Sequence, residues 1–434
     1  MIPFTKHSLR NGLQVVVHED HNLPIVAVNI WYHVGSRNEA PGRSGLAHLF
    51  EHLMFKGAQH QPRGFFEPLQ EAGGSLNGST SADRTNYWSV VPAGALELAL
   101  WMEADRMGWL VPALSVERFE TEREVVLNER RQSYDNRPYG LASFALSEAI
   151  YPDDHPYHWP TIGYPSDLRA ATVEDARAFF ERYYHPANAS LTVAGAVQTD
   201  DVLTLVERLF GDIPAGPAVS PLPVSPVAPP SRRLLLEDRV ELPRLYLMFP
   251  TPELFSNGDA VLDVTADVLA NGRTSRLYRT LMHDQRRAAG LGAGQGSREM
   301  GSLFQVVATA APDVKLEELR VAITDELGRL ATQGPTEAEV DRARVQAEAS
   351  FLFRLQTLGG FGGKADQLNA YNVYTGSPAY FSQDFDRYLN VTAADVRRVA
   401  SQYLNAEQAV QLSVVPQGQR QWALAESEHV VVTT

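Results

Sequence analysis

The segment Gly45-Leu-Ala-His-Leu-Phe-Glu-His-Leu-Met-Phe-Lys-Gly57 sets His48 and His52 four residues apart, with Glu51 beside the second. On a helix that spacing brings both imidazoles to one side, a turn apart, so one ion can reach both. Glu51 lies on the same side, where a carboxylate can take a proton from an attacking water. The order His-x-x-Glu-His is the inverted form of the helical zinc motif. With 12 histidines and 52 acidic residues in 434 positions, about 0.04 such patterns are expected by chance, so the spacing carries information. The competing reading is a plain amphipathic helix, because Leu46, Leu49, Phe50 and Leu53 form an apolar stripe that needs no metal.

A catalytic zinc takes three protein ligands and leaves a fourth position for water. The chain has no cysteine, so the third ligand must be a histidine or a carboxylate. A predicted helix from Ser115 to Tyr134 carries Glu117, Glu120, Glu122, Glu124 and Glu129, and residue type alone does not choose among them.

The motif resembles that of the pitrilysin, insulysin and mitochondrial-processing-peptidase family of zinc peptidases. The resemblance places the third ligand at Glu129, with 76 residues between His52 and Glu129. It also makes Glu122, seven residues earlier and on the same helix face, a support for the metal site. The segment Asn77-Gly78-Ser79-Thr80 is similar to the family's Asn-Ala-x-Thr strand, with glycine where alanine is usual. That likeness implies a sheet-edge strand to which an extended peptide substrate can add through its backbone. The implied chemistry is peptide-bond hydrolysis with one zinc ion per chain, His48, His52 and Glu129 as ligands, Glu51 as base, and Asn77 to Thr80 as the substrate strand.

One family feature is missing. The resemblance implies an arginine and a tyrosine seven residues apart on a helix of the second half. Aligned on Ser275-Arg-Leu-Tyr278, those positions hold Met282 and Ala289. Arg177/Tyr184 and Arg239/Tyr246 have the spacing but lie elsewhere in the chain. The expected partner is therefore a paralogous subunit that lacks the zinc motif and supplies the pair, giving a heterodimer that encloses peptides or unfolded segments in a chamber. A homodimeric peptidase and a non-catalytic assembly subunit of the same fold are the alternatives.

The elements that must position these residues come in two sets. β-Branched and aromatic runs at Gly12–His18, Ile25–Val34, Thr85–Val91, Arg244–Phe249 and Leu303–Thr309 read as strands. Helical patterns cover Ala93–Leu110, Ser115–Tyr134 and Glu337–Leu358. The halves end alike: with a shift of 220 residues, Thr172, Asp175, Arg177, Tyr183 and Ala189 fall on Thr392, Asp395, Arg397, Tyr403 and Ala409. Each copy reads as a threonine-capped helix followed by an apolar strand. Between the halves, Pro214 to Ser231 contains seven prolines and reads as an extended linker. The expectation is two homologous α+β domains, each a mostly antiparallel β-sheet covered by α-helices: 1–213 with the zinc site, a linker 214–231, and 232–434 without zinc.

Bulk properties narrow the function. A net charge of −14 argues against nucleic acid as a partner. No apolar run approaches the roughly 18 residues of a membrane helix, so no membrane is expected. The N-terminus lacks the apolar core of a leader, which reads as cytoplasmic as written, or periplasmic if a leader was removed before this numbering. The run Gly359-Gly-Phe-Gly-Gly-Lys364 lacks the spacing of a phosphate loop and reads as a hinge or helix-ending loop, with a substrate-facing loop as the alternative. His155-Pro-Tyr-His158 sits in a proline-flanked loop and is assigned no metal.

Overall fold

The structure, a computed structural model, describes residues 2–223, 227 and 231–432. The linker expected at 214–231 lies partly outside the described residues. Two compact units emerge, and neither is contiguous in the chain. One comprises Met1–Glu129, Trp159–Pro223 and Phe351–Gln383; the other comprises Arg130–His158, Val224–Ser350 and Asp384–Thr434. These units do not follow the division expected at 213 and 232: residues 130–158 fall with the second unit and residues 351–383 with the first.

The first unit is built on a six-stranded sheet of β1 (Thr5–Ser8), β2 (Gln14–Glu19), β3 (Ile25–Tyr32), β4 (Ser75–Thr80), β5 (Thr85–Pro92) and β6 (Ala189–Gly195), in the order β1-β2-β6-β3-β5-β4. Only the β2–β6 pairing is parallel among the described residues. The second unit repeats this plan with β7 (Arg232–Asp238), β8 (Arg244–Thr251), β9 (Ala288–Gly296), β10 (Ser302–Ala310), β11 (Val410–Pro416) and β12 (Glu428–His429), in the order β12-β7-β11-β8-β10-β9. There β7 runs parallel to β11 and β12, and the other pairings are antiparallel. Thus β2, β3, β4, β5 and β6 correspond in order and direction to β7, β8, β9, β10 and β11. The architecture is α+β, with a mixed, mostly antiparallel sheet in each unit.

The repeated helix ends are equivalent in detail. Thr172 Oγ1 accepts from the Asp175 amide at 3.2 Å, and the Asp175 carboxylate accepts from the Thr172 amide at 2.9 Å. Thr392 and Asp395 make the same reciprocal pair, at 3.2 and 3.1 Å. Such capping boxes satisfy amides that the first helical turn leaves unpaired.

The two faces of the first sheet are covered differently. One packs on helix Leu96–Ala113, where Arg106 is 1% exposed. Its guanidinium is paired to Glu103 at 2.8 Å and lies over the rings of Tyr87 and Phe65, at 3.9 and 4.2 Å. Ring faces and a carboxylate together make a buried arginine tolerable.

The other face carries Asn29, Trp31, Asn86, Ser190 and Thr192, and residues 351–383 cross it as a strap. From helix Lys364–Thr375, Asp366 Oδ1 accepts from Asn29, Trp31 and Asn86 at 3.2, 2.8 and 2.9 Å. Asn369 accepts from the hydroxyls of Ser190 and Thr192, at 2.7 and 2.8 Å. The Gly359–Lys364 run delivers this helix. A Cβ at Gly359 would stand 2.4 Å from the Val90 side chain and 2.8 Å from that of Ala27, so only glycine lets the loop lie on the strands.

The stretch aligned with the missing arginine and tyrosine is helical only through Asp284. Ala289 belongs to β9, not to the helix that the sequence reading drew through it. Among the described residues no helix is long and apolar enough to cross a membrane.

Candidate metal centre

The helix carrying His48 and His52 spans Leu46–Met54 and starts abruptly. Gly45, with φ +92°, turns the chain into it, and a Cβ there would meet Ile162 O and Gly163 Cα at 3.0 Å. Glu39 supplies the cap from six residues upstream: its carboxylate accepts from the amides of Gly45 and Ala47, at 3.0 and 2.7 Å. A carboxylate at a helix N-terminus satisfies free amides and favours the dipole. Leu49, Phe50 and Leu53 are fully buried, and Phe50 stacks on Phe180 and Tyr184 at 5.5 and 5.0 Å. The apolar stripe is therefore real, and it turns the two histidines away from the core.

Opposite them runs helix Val116–Arg130. Of its five glutamates, Glu129 meets the histidines: its Oε2 lies 3.8 Å from His48 Nε2 and 3.4 Å from His52 Nε2. One ligand atom from each of the three residues falls within 4.8 Å of the others, and no other such group occurs among the described residues. Zinc bonds of about 2.0–2.1 Å in a tetrahedron put neighbouring ligand atoms about 3.3 Å apart. The three donors need only a small inward movement to reach that separation, and their N/N/O chemistry suits zinc. Glu122 is almost fully covered, held by Lys56 Nζ at 3.0 Å, with its other oxygen 3.8 Å from His52 Nδ1.

The electrostatics separate the two histidines. Burial and the neighbouring His52 hold His48 down at about 4, so it stays neutral. Burial opposes charge on His52 as well, yet the carboxylates of Glu122 and Glu129 carry it up to about 9. Glu129 is lowered by His52 in turn. Glu51 is 9% exposed, and burial raises its pKa against the opposing effects of Thr80, His52 and Arg84.

Strand β4 is the free edge of the sheet, beside the metal helix. Thr80 donates to Glu51 Oε2 at 2.7 Å. Gly78 lies on the aromatic floor, where a Cβ would come within 3.0 Å of the rings of Phe55 and Tyr87. That contact explains glycine at a position where the resemblance implied alanine. The Gly78 amide is satisfied by the Asn77 side chain at 2.8 Å. Ser79 alternates to the other face, where it donates to Asn86 at 2.7 Å and its carbonyl accepts from Arg84 at 2.8 Å. Every site residue expected from the sequence thus lies in one unit. Glu39, Lys56 and Arg84 were not singled out; Lys56, one turn beyond His52, was detectable from the same i, i+4 spacing. His155 accepts from the Tyr157 amide at 3.0 Å and joins no ligand group among the described residues.

Two family models match the chain: one described as Insulinase (Peptidase family M16) over residues 14–156, and one described as Peptidase M16 inactive domain over residues 170–346. The chain is similar to the zinc protease PqqE of Helicobacter pylori, 31% identical over 415 residues that cover 94% of this chain and 92% of that one. It is also similar to a probable mitochondrial-processing peptidase subunit beta of Arabidopsis thaliana, 25% identical over 412 residues, with 92% of this chain and 75% of that one covered. Among solved structures, that of a protease from Helicobacter pylori matches with a TM-score of 0.86 at 29% identity, covering 96% of this chain and 100% of that one.

Proposed function

This chain belongs to peptidase family M16, and from that membership and the convergence of His48, His52 and Glu129 beside Glu51 we propose that it is a zinc-dependent endopeptidase. The observation that carries the reading is the approach of Glu129 Oε2 to both histidine Nε2 atoms, at 3.8 and 3.4 Å. His48, His52 and Glu129 would hold one zinc ion. When bound, zinc polarises the scissile carbonyl and lowers the pKa of water toward neutrality.

The protein's own residues do the rest. Glu51 takes a proton from the attacking water and passes it to the leaving amine nitrogen as the carbon–nitrogen bond breaks. Burial raises its pKa, which favours the protonated form through which it passes as donor. Glu122 keeps His52 oriented through Nδ1, which leaves Nε2 for the metal. An extended, unfolded peptide joins the free edge of β4 along Asn77 to Thr80 through the outward-facing backbone groups of alternate residues, with Arg84 bracing the strand from behind.

The chain acts as the zinc-bearing subunit of a heterodimer. In support, Met282 and Ala289 occupy the positions where the arginine and tyrosine were expected, and one similar protein is named a subunit beta. The match of residues 170–346 to a domain described as inactive fits a chain with a single ligand group among its described residues.

The test is cleavage of a quenched-fluorescent peptide library by the zinc-loaded chain, with Glu51→Gln as control. Activity of the lone chain that Glu51→Gln abolishes would support the peptidase and sink the obligatory partner in favour of the homodimer. Bound zinc without cleavage, rescued by a paralogue carrying the arginine and tyrosine, is the expected outcome. No zinc uptake would favour a non-catalytic assembly subunit.

A further inference from the structure

Glu51 receives one hydrogen bond among the described residues, from the hydroxyl of Thr80 at 2.7 Å. The donor comes from a different element: Thr80 closes strand β4, and Glu51 lies in helix Leu46–Met54. Thr80 is opposite Thr85 in the sheet, and the Thr85 hydroxyl is engaged by Val34 O at 2.9 Å. A β-branched residue in a strand has few χ1 choices, so the Thr80 hydroxyl is a fixed donor. The terminal torsion of a glutamate, by contrast, is broad and soft. One donor on Oε2 fixes the carboxylate plane and leaves Oε1 without a hydrogen-bond partner among the described residues.

Resting on the reading of Glu51 as general base, we propose that Thr80 is the positioning residue for that base. Its hydroxyl holds Oε2, so that Oε1 faces the attacking water. Oε1 then takes one proton from the water, whose oxygen adds to the carbonyl carbon. The same proton goes to the amine nitrogen as the carbon–nitrogen bond breaks, which returns Glu51 to its starting state. The donor sits on the strand that an extended peptide would join. Docking of substrate along β4 and orientation of the base are therefore mechanically one event, and Thr80 does more than line the substrate.

Two measurements test this. In kinetics of the zinc-loaded chain, with its partner subunit where one is needed, Thr80→Val should lower kcat about tenfold or more while KM stays within about twofold. Zinc stoichiometry should not change, and Thr80→Ser should recover most of the rate. A raised KM at unchanged kcat would make Thr80 a substrate contact only and overturn the proposal. The second measurement needs no activity: thermal unfolding of the metal-free chain in a cycle of Thr80→Val, Glu51→Ala and the double variant. The shifts should be non-additive by about 2–4 °C. Additive shifts would mean the bond does not exist and overturn the proposal, whatever the activity. Coupled shifts in a chain that cleaves nothing, even with its partner, would overturn the peptidase reading and this proposal with it.

Discussion

Lys56 Nζ stands 3.0 Å from Glu122 Oε1, while the other oxygen of that carboxylate stands 3.8 Å from His52 Nδ1. The half-exposed lysine thus holds a covered carboxylate whose second oxygen faces a metal-binding imidazole. Groups that orient metal ligands in this way typically contribute 10- to 100-fold in affinity. Lys56→Met should weaken zinc binding about tenfold, Glu122→Gln should weaken it more, and Lys56→Arg should be nearly neutral. Competition with a chromophoric chelator measures all three. An unchanged affinity in Lys56→Met beside a loss in Glu122→Gln would remove Lys56 from the chain of contacts.

Zinc uptake should be coupled to a single proton. In the metal-free protein His52 is carried up to about 9, and it must become neutral to bind zinc. His48, held down at about 4, is already neutral at pH 7. Below about pH 9 the apparent affinity should therefore fall about tenfold for each unit of acidification, with a slope of one proton through pH 6–8. A slope near two would mean that His48 is charged as well. No slope would mean that His52 is neutral before the metal arrives.

Gly78→Ala should destabilise the protein although alanine suits a strand better. The new methyl would sit 3.0 Å from the rings of Phe55 and Tyr87, and Tyr87 is wedged against Arg106 at 3.9 Å. Overpacking of this kind costs about 1–3 kcal/mol, partly offset by about 0.4–1 kcal/mol from the stiffer unfolded chain. Urea titration should show a net loss near 1 kcal/mol by that balance, and Phe55→Leu should relieve it in the double variant. A gain in stability from Gly78→Ala alone would show that the floor yields.

Asp366→Ala should loosen the first unit. It would leave the side-chain donors of Asn29, Trp31 and Asn86, and the Gly362 amide, without their carboxylate. Stranded donors of this kind cost about 1–3 kcal/mol each where water cannot reach them, and Asp366→Asn should recover part of the loss. Denaturant unfolding followed by tryptophan fluorescence checks this. Equal stability of Asp366→Ala and the parent chain would mean that water replaces the carboxylate.

The metal helix and the repeat were legible because their signals are local. A four-residue histidine spacing and a threonine three residues before an aspartate describe geometry within one helical turn. Glu129 was legible only through resemblance, since five glutamates on one helix look alike until a second helix faces them. The strap was not legible. Asn29, within Ile-Val-Ala-Val-Asn-Ile-Trp-Tyr, breaks an apolar run as a solvent-facing residue would, yet it is fully buried against Asn369. Its partner lies 340 residues away, and no periodicity within a strand reports that. Ala289 was misread for a related reason: a helical pattern was carried on through Asp284 into residues that the neighbouring strand β10 recruits.

The strap also bears on how such a chain can be inherited. A polypeptide stopping at Pro223 would contain His48, Glu51, His52 and Glu129, yet it would lack Asp366 and Asn369, which engage Asn29, Trp31, Asn86, Ser190 and Thr192. Residues 351–383 return to the first unit after strands β7 to β10 of the second, so the two sheets are not carried by separable stretches of chain. A genetic break between them would not release two working halves.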